Sequence, residues 1–443
     1  MNMGTRINLS VMMFLEFFIW AAWYVPLGVY LGTMGFPGTA IGSAYSTTAL
    51  AAIVSPFFVG MIADRFFSAE RVLGIMHIAG GIAIFGVSRI VEPGLFFWVL
   101  LVYALTYMPT LALVNAVAFQ QMDNTEKQFP AIRVFGTIGW IVACLIIGFL
   151  EVNNGGARWN FAEPFGIPVN FIIPLASGEG DWNTASATSI PMVITAAVAI
   201  FFGIYSFFLP HTPPKAKGQK VKARDVLGID ALSLMKDRSF AVFVISSFLI
   251  CIPLAAYYAF GNLFLTEAGM ANPTAKLSLG QMSEFFFMLV MPFFFVRLGV
   301  KKMLLFGMLA WVGRYVLFVF GNGESLVWMY YVGILLHGIC YDFFFVTGQI
   351  YVDNEAPKEI RANAQGFIAM ITYGVGMYIG SILSGFIGEY YQIMEGEEIV
   401  GHVWSNIWGI MAIMAVVVSI GFALLFKDKP RAEEVVESVE ETV

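Results

Sequence analysis

The chain is predicted to be an all-α integral membrane protein, with twelve transmembrane helices in two six-helix bundles. Three observations predict this. Of its 443 residues, 59% are hydrophobic and only 12% are charged, against about 45–50% and about 25% in soluble domains. The apolar residues fall in long stretches, most of them near the ~20 residues a helix needs to cross a bilayer. A polar segment near the middle, 211–238, divides those stretches six and six.

The stretches are 8–32, 40–64, 70–90, 95–121, 131–151, 190–210, 239–266, 277–297, 301–320, 325–352, 362–387 and 403–426. The first follows Arg6 and runs to about Leu31 without a small-residue cleavage site. A signal-peptide core is only about 7–15 residues long, so this stretch reads as a retained first helix. Breaks fall at Gly35-Phe36-Pro37-Gly38 and Glu92-Pro93-Gly94, as Gly and Pro punctuation predicts. Residues 1–210 form the expected N-terminal bundle, with an external loop at 152–189. Residues 211–238 are a cytoplasmic linker carrying Lys215, Lys217, Lys220 and Lys222. Residues 239–428 form the C-terminal bundle, and 429–443 an acidic tail expected to be disordered.

Orientation follows from the bias of Lys and Arg toward the cytoplasm. With both termini inside, roughly 19 of the 24 Lys and Arg fall on that face. Arg89, Arg158 and Lys276 fall opposite, and Arg133 and Arg314 lie within the membrane. Cys144, Cys251 and Cys340 sit in apolar stretches. An odd number without ligand spacing predicts neither a disulfide framework nor a metal site, and no cofactor is expected.

Glu16, Arg133, Glu284, Arg314, His337 and Asp342 each fall within or at the edge of an apolar stretch. A charge at bilayer depth costs about 2.5–3.5 kcal/mol on insertion scales unless it faces protein or a water-filled cavity. Such residues are candidates for a functional site, and here they come from both halves. Arg133 and Thr137 are i,i+4, and Gln281 and Glu284 are i,i+3, so each pair shares a helix face. Arg133 can also be read as snorkelling to the cytoplasmic surface, and Arg314 as satisfying backbone carbonyls. His77 stands alone in the third stretch and reads as structural.

Gly60-Met61-Ile62-Ala63-Asp64-Arg65 lies between the second and third stretches. It resembles the loop signature of the major facilitator superfamily. Asp64 would end a helix, the unfavourable terminus for a negative charge. It therefore needs partners from neighbouring helices, which suggests a conformational latch formed by Asp64 and Arg65. A degraded copy, Arg297-Leu298-Gly299-Val300-Lys301-Lys302, occupies the matching place in the second half.

Five further segments resemble the nucleoside:proton symporter family within that superfamily. They are Tyr107-Met108-Pro109-Thr110-Leu111-Ala112-Leu113-Val114-Asn115, Phe129-Pro130-Ala131-Ile132-Arg133-Val134-Phe135-Gly136-Thr137-Ile138-Gly139, Gln281-Met282-Ser283-Glu284, Tyr341-Asp342-Phe343-Phe344 and Ile360-Arg361-Ala362-Asn363-Ala364-Gln365-Gly366. The resemblance implies a substrate site containing Arg133, Thr137, Gln281, Glu284 and Asp342. His337 and Tyr341 stand where other members carry aromatics. Where the family has two amide side chains before Phe260-Gly261-Asn262, this chain has Ala255 and Tyr258, and Tyr258 could stack on a base in their place. Glu16 replaces an amide of the first helix.

The resemblance implies proton-coupled nucleoside import by alternating access, through a monomer in a bacterial cytoplasmic (inner) membrane. The expected partners are a nucleoside, protons and the lipid bilayer, without nucleic acid. Desolvation raises the pKa of a buried acid and a nearby Arg lowers it. If both arginines are paired, three carboxylates against two arginines leave one acid without a partner. Glu284 is the expected proton carrier, with Asp342 and Glu16 as the other coupling candidates. A transporter of a sugar or another polar solute is an alternative, because the amides are missing. A polytopic membrane enzyme is a weaker one, since no nucleophile–base cluster appears.

Overall fold

A computed structural model describes residues 2–58, 67–153, 156–160, 170–173, 182–214 and 229–428. Asp64, Arg65, half of the linker (215–228), part of the external loop and the acidic tail lie outside the described residues. The first half contains α1 (Met3–Thr33), α2 (Gly38–Phe58), α3 (Ala69–Val87), α4 (Pro93–Gln120), α5 (Thr125–Phe149) and α6 (Ile190–Ser206). The second half begins with α7 (Arg238–Glu267). The helical run Pro273–Phe320 then divides into α8 and α9 at Gly299, whose φ is 69°. An L side chain there would be strained, so this glycine makes the turn possible. Each of the twelve stretches thus has its helix.

α10 comprises Val327–Cys340, a π-helical turn at Tyr341–Val346, and Thr347–Glu355. α11 repeats the design, with Arg361–Ala369, a π-helical turn at Met370–Gly376, and Met377–Tyr390. α12 is Trp404–Leu425. π-turns are rare and concentrate at functional sites. Side-chain caps set several starts. Asn2 accepts from the Thr5 amide, Asn124 from Lys127 and Asp237 from Phe240, satisfying amides that a helix start leaves free.

α1 packs on α5 and α6, α3 on α4 and α6, and α2 on α4. In the second half α7 packs on α11 and α12, and the α8–α9 run on α10 and α12. The halves meet where α2 crosses α11, where α5 crosses α8, and where α7 meets Leu27–Thr33 of α1. Near the end away from the chain's N-terminus the backbones touch. A Cβ at Gly38 or Gly42 would collide with the backbone of 381–389, and one at Gly148 with Ala275. Glu389 accepts hydrogen bonds from the Thr39 amide and hydroxyl, capping the start of α2 from the other half. Asn262 donates to the Val25 carbonyl, 2.9 Å away. That end is sealed by direct contact between the halves.

Two short sheets lie at or beyond the ends of the apolar stretches. β1 (Leu150–Asn153), β2 (Gly156–Asn160), β3 (Asn170–Ile173) and β4 (Asn183–Thr184) form an antiparallel sheet in the order β3-β2-β1-β4. They lie in or beside the segment expected to be a loop. β5 (Gln392–Glu395) and β6 (Glu398–His402) form a hairpin before α12.

Candidate functional site

A cavity of about 420 Å³ lies between the halves, within the range of ligand pockets, about 300–1,000 Å³. α5 supplies Arg133, Gly136, Thr137 and Trp140, which follow one helix face. α1 supplies Phe17, Trp20 and Tyr24 in the same way, and α4 supplies Met108, Leu111 and Asn115. From the other half come Tyr258 of α7, Gln281 and Glu284 of α8, Tyr341 and Gln349 of α10, and Tyr373 and Met377 of α11.

The Arg133 guanidinium stands 4.1 Å from the centre of the Phe17 ring. This cation–π contact orients the fork without using its hydrogen-bond donors. Arg133 forms no ion pair with a carboxylate among the described residues. It lines the cavity. Gln281 lies 3.2 Å from Nε2 of His337, and Glu284 lies 3.8 Å from the same nitrogen.

Six of the eight expected substrate residues line this cavity: Arg133, Thr137, Tyr258, Gln281, Glu284 and Tyr341. His337 does not. It lines a smaller adjoining pocket with Tyr257, Asn262 and Leu277, toward the sealed end. Asp342 lies behind Tyr341, fully buried, and neither of its carboxylate oxygens has a hydrogen-bond partner among the described residues.

Glu16 is fully buried and does not line the cavity, although Phe17 and Trp20 of the same helix do. It is paired with His77 at 2.9 Å and accepts a hydrogen bond from Thr110 at 2.7 Å. Arg314 donates from Nε to the Gly333 carbonyl and stands 4.2 Å from the centre of the Tyr257 ring. It does satisfy a carbonyl, and its terminal nitrogens have no hydrogen-bond partner among the described residues.

Sequence reasoning did not assign Phe17, Trp20, Tyr24, Trp140 or Tyr373 to the site. Their helical spacing was visible, but an aromatic stripe reads alike whether it packs or lines a cavity. Tyr373 has a second mark. Its hydroxyl lies 2.7 Å from that of Tyr341, joining the two π-turns at the cavity surface.

The family model for nucleoside H+ symporters matches residues 3–160 and 169–431. The chain belongs to the nucleoside H+ symporter family. It is 42% identical to the putative nucleoside transporter YegT of Escherichia coli over 429 residues, covering 96% of this chain and 95% of the relative. It is 30% identical to the nucleoside permease NupG of Escherichia coli, covering 96% and 97%. The crystal structure of the nucleoside transporter NupG superposes with a TM-score of 0.81 at 29% identity, covering 96% of this chain and all of that one. The chain is therefore a multi-pass membrane transporter with the major facilitator fold, and not an enzyme. Within this nucleoside H+ symporter, family and geometry meet at one place: the α5 and α8 motifs face a single cavity from opposite halves.

Proposed function

We propose that this protein imports nucleosides together with protons across the cytoplasmic (inner) membrane, by rocking its two halves about the central cavity. The observation that carries the reading is the cavity itself. It brings Arg133 and Thr137 of one half to the same space as Gln281 and Glu284 of the other. A binding site built from both halves changes its exposure when the halves rock. Flat rings, Trp20, Trp140 and Tyr258, suit a base, and the polar groups suit a ribose. Each chain holds a complete cavity, so a monomer suffices.

Both termini are assigned to the cytoplasm from the Lys and Arg bias. The sealed end is then external, and the structure corresponds to an inward-facing state. Asp64 and Arg65 are assigned to a cytoplasmic latch. Residues 1–210 and 239–428 are assigned to the two moving units, joined by the linker 211–238.

Purified protein in proteoliposomes tests the reading. Labelled uridine should undergo counterflow, and an inwardly directed proton gradient should drive its accumulation. Absence of counterflow with any nucleoside, together with uptake of a free sugar, would overturn the nucleoside assignment.

A further inference from the structure

Tyr341 and Tyr373 occupy the two π-turns of α10 and α11, and both line the cavity. Their hydroxyl oxygens are 2.7 Å apart. A π-turn inserts an extra residue and re-aims the side chains around it. Here two such turns, on adjacent helices, bring two phenolic hydroxyls together at the surface of one site. Phe345, on the same turn as Tyr341, packs against both rings, with centres 5.4 Å from Tyr373 and 5.1 Å from Tyr341. The hydroxyl pair is therefore positioned by packing.

The chemistry of the pair narrows what it can recognise. One hydroxyl donates to the other, which leaves one O–H donor and free acceptor lone pairs. A ligand group that both donates and accepts completes this set, whereas a carbonyl or an amino group completes half of it. Neighbouring hydroxyls on a furanose ring offer both functions at hydrogen-bond spacing. The opposite side of the cavity carries Phe17, Trp20 and Trp140, broad faces fitted to a planar base. A solute with a base at one end and a diol at the other would span the two.

We propose that Tyr373, through its hydrogen bond to Tyr341, is a specificity-determining residue, and that the paired hydroxyls recognise the 2′,3′-diol of a ribonucleoside. This rests on the nucleoside reading above and deepens it.

The test compares uridine with 2′,3′-dideoxyuridine as competitors of labelled uridine counterflow, in wild type, Tyr373→Phe and Tyr341→Phe. Both substitutions keep the rings and so preserve the packing. Losing net neutral hydrogen bonds is expected to weaken uridine binding by about fivefold to tenfold in either variant. Binding of 2′,3′-dideoxyuridine should change by less than about twofold. The preference of the wild type for the diol would then collapse. A purely structural tie between the π-turns would weaken both ligands equally and leave the ratio intact. An unchanged ratio in both variants overturns the proposal while uridine counterflow by the wild type leaves nucleoside transport standing. Absence of uridine counterflow by the wild type would overturn both.

Discussion

Glu16 of α1 and His77 of α3 lie 2.9 Å apart, with neither side chain more than 2% exposed. Tyr107 donates to the Glu16 backbone carbonyl at 2.7 Å, and Thr110 donates to its carboxylate. Three helices thus converge on one acid. Phe17 and Trp20 of the same helix line the cavity, whereas Glu16, His77, Tyr107 and Thr110 do not. The arrangement makes Glu16 a fastening between helices within one half, and it supplies the partner that His77 lacks in the linear sequence.

Removing one member of a buried pair strands the other, at a cost of about 3–5 kcal/mol. Glu16→Ala should therefore lower thermal stability clearly in detergent. Glu16→Gln keeps one acceptor oxygen for Thr110 and places an amide NH2 donor beside the ring nitrogen of His77, so it should lose much less. In the fastening role, Glu16→Gln keeps gradient-driven uptake. A variant with normal counterflow but no accumulation would instead make Glu16 a coupling residue.

The legibility of the chain differed by level. Helix positions were readable, because an apolar stretch in a bilayer has few folded options. The α5 and α8 pairs were readable, because a charged or amide residue in an apolar stretch is costly and stands out. The partner of Glu16 was not, since His77 is 61 positions away and nothing in the spacing joins them. The π-turns were hidden because an extra residue in a helix leaves no compositional trace. Asp342 was legible as an intramembrane acid, yet nothing in the linear sequence tells that its neighbour Tyr341 takes the cavity-facing position. The strands β1–β4 were missed because the segment is rich in loop-forming residues.

Arg133 provides the next prediction. Its guanidinium lies over Phe17 and faces the cavity, so its donors are available to a ligand. Lys keeps the charge but loses the planar fork and its stacking. Arg133→Lys and Arg133→Ala should each weaken nucleoside binding by roughly tenfold or more, the scale of a lost charge-assisted hydrogen bond. Wild-type affinity in Arg133→Lys would return Arg133 to a snorkelling role.

Glu389 and Thr39 should control the sealed end. The Glu389 carboxylate accepts from both the amide and the hydroxyl of Thr39, and a negative charge suits a helix N-terminus. Glu389→Ala removes this bridge between halves without entering the cavity. It should shift the equilibrium toward the outward-open state. Cysteines introduced on α2 and α11 near this contact would then react faster with an impermeant thiol reagent from outside. Unchanged labelling would leave the seal to the glycine contacts alone.

Tyr258 lines the cavity where the α7 amides are absent. Its ring packs edge-on against Tyr24, with centres 5.8 Å apart. Base–aromatic stacking in nucleic-acid sites is worth about 1–3 kcal/mol. On that scale Tyr258→Ala should weaken uridine binding by roughly tenfold or more. Tyr258→Phe separates the ring from the hydroxyl, and near-normal binding would assign the effect to stacking. Full affinity in Tyr258→Ala would remove Tyr258 from the site.

The last prediction concerns the proton. Of the three acids expected in the membrane, Glu16 is held by His77 and Asp342 is buried behind Tyr341. Glu284 alone among them lines the cavity, on the same face as Gln281 and 3.8 Å from His337. It can exchange a proton with whichever side the cavity opens to, and it can sense substrate directly. Glu284→Gln mimics the protonated acid and cannot release the proton. It should abolish accumulation driven by a proton gradient yet retain counterflow, because exchange of bound substrate needs no net proton movement. Asp342→Asn separates the two remaining acids. If Asp342 serves as a second proton site reached through the cavity, its substitution will also uncouple transport. If Glu284→Gln still concentrates uridine against a gradient and Asp342→Asn does not, the carrier is Asp342, and Glu284 serves substrate binding alone.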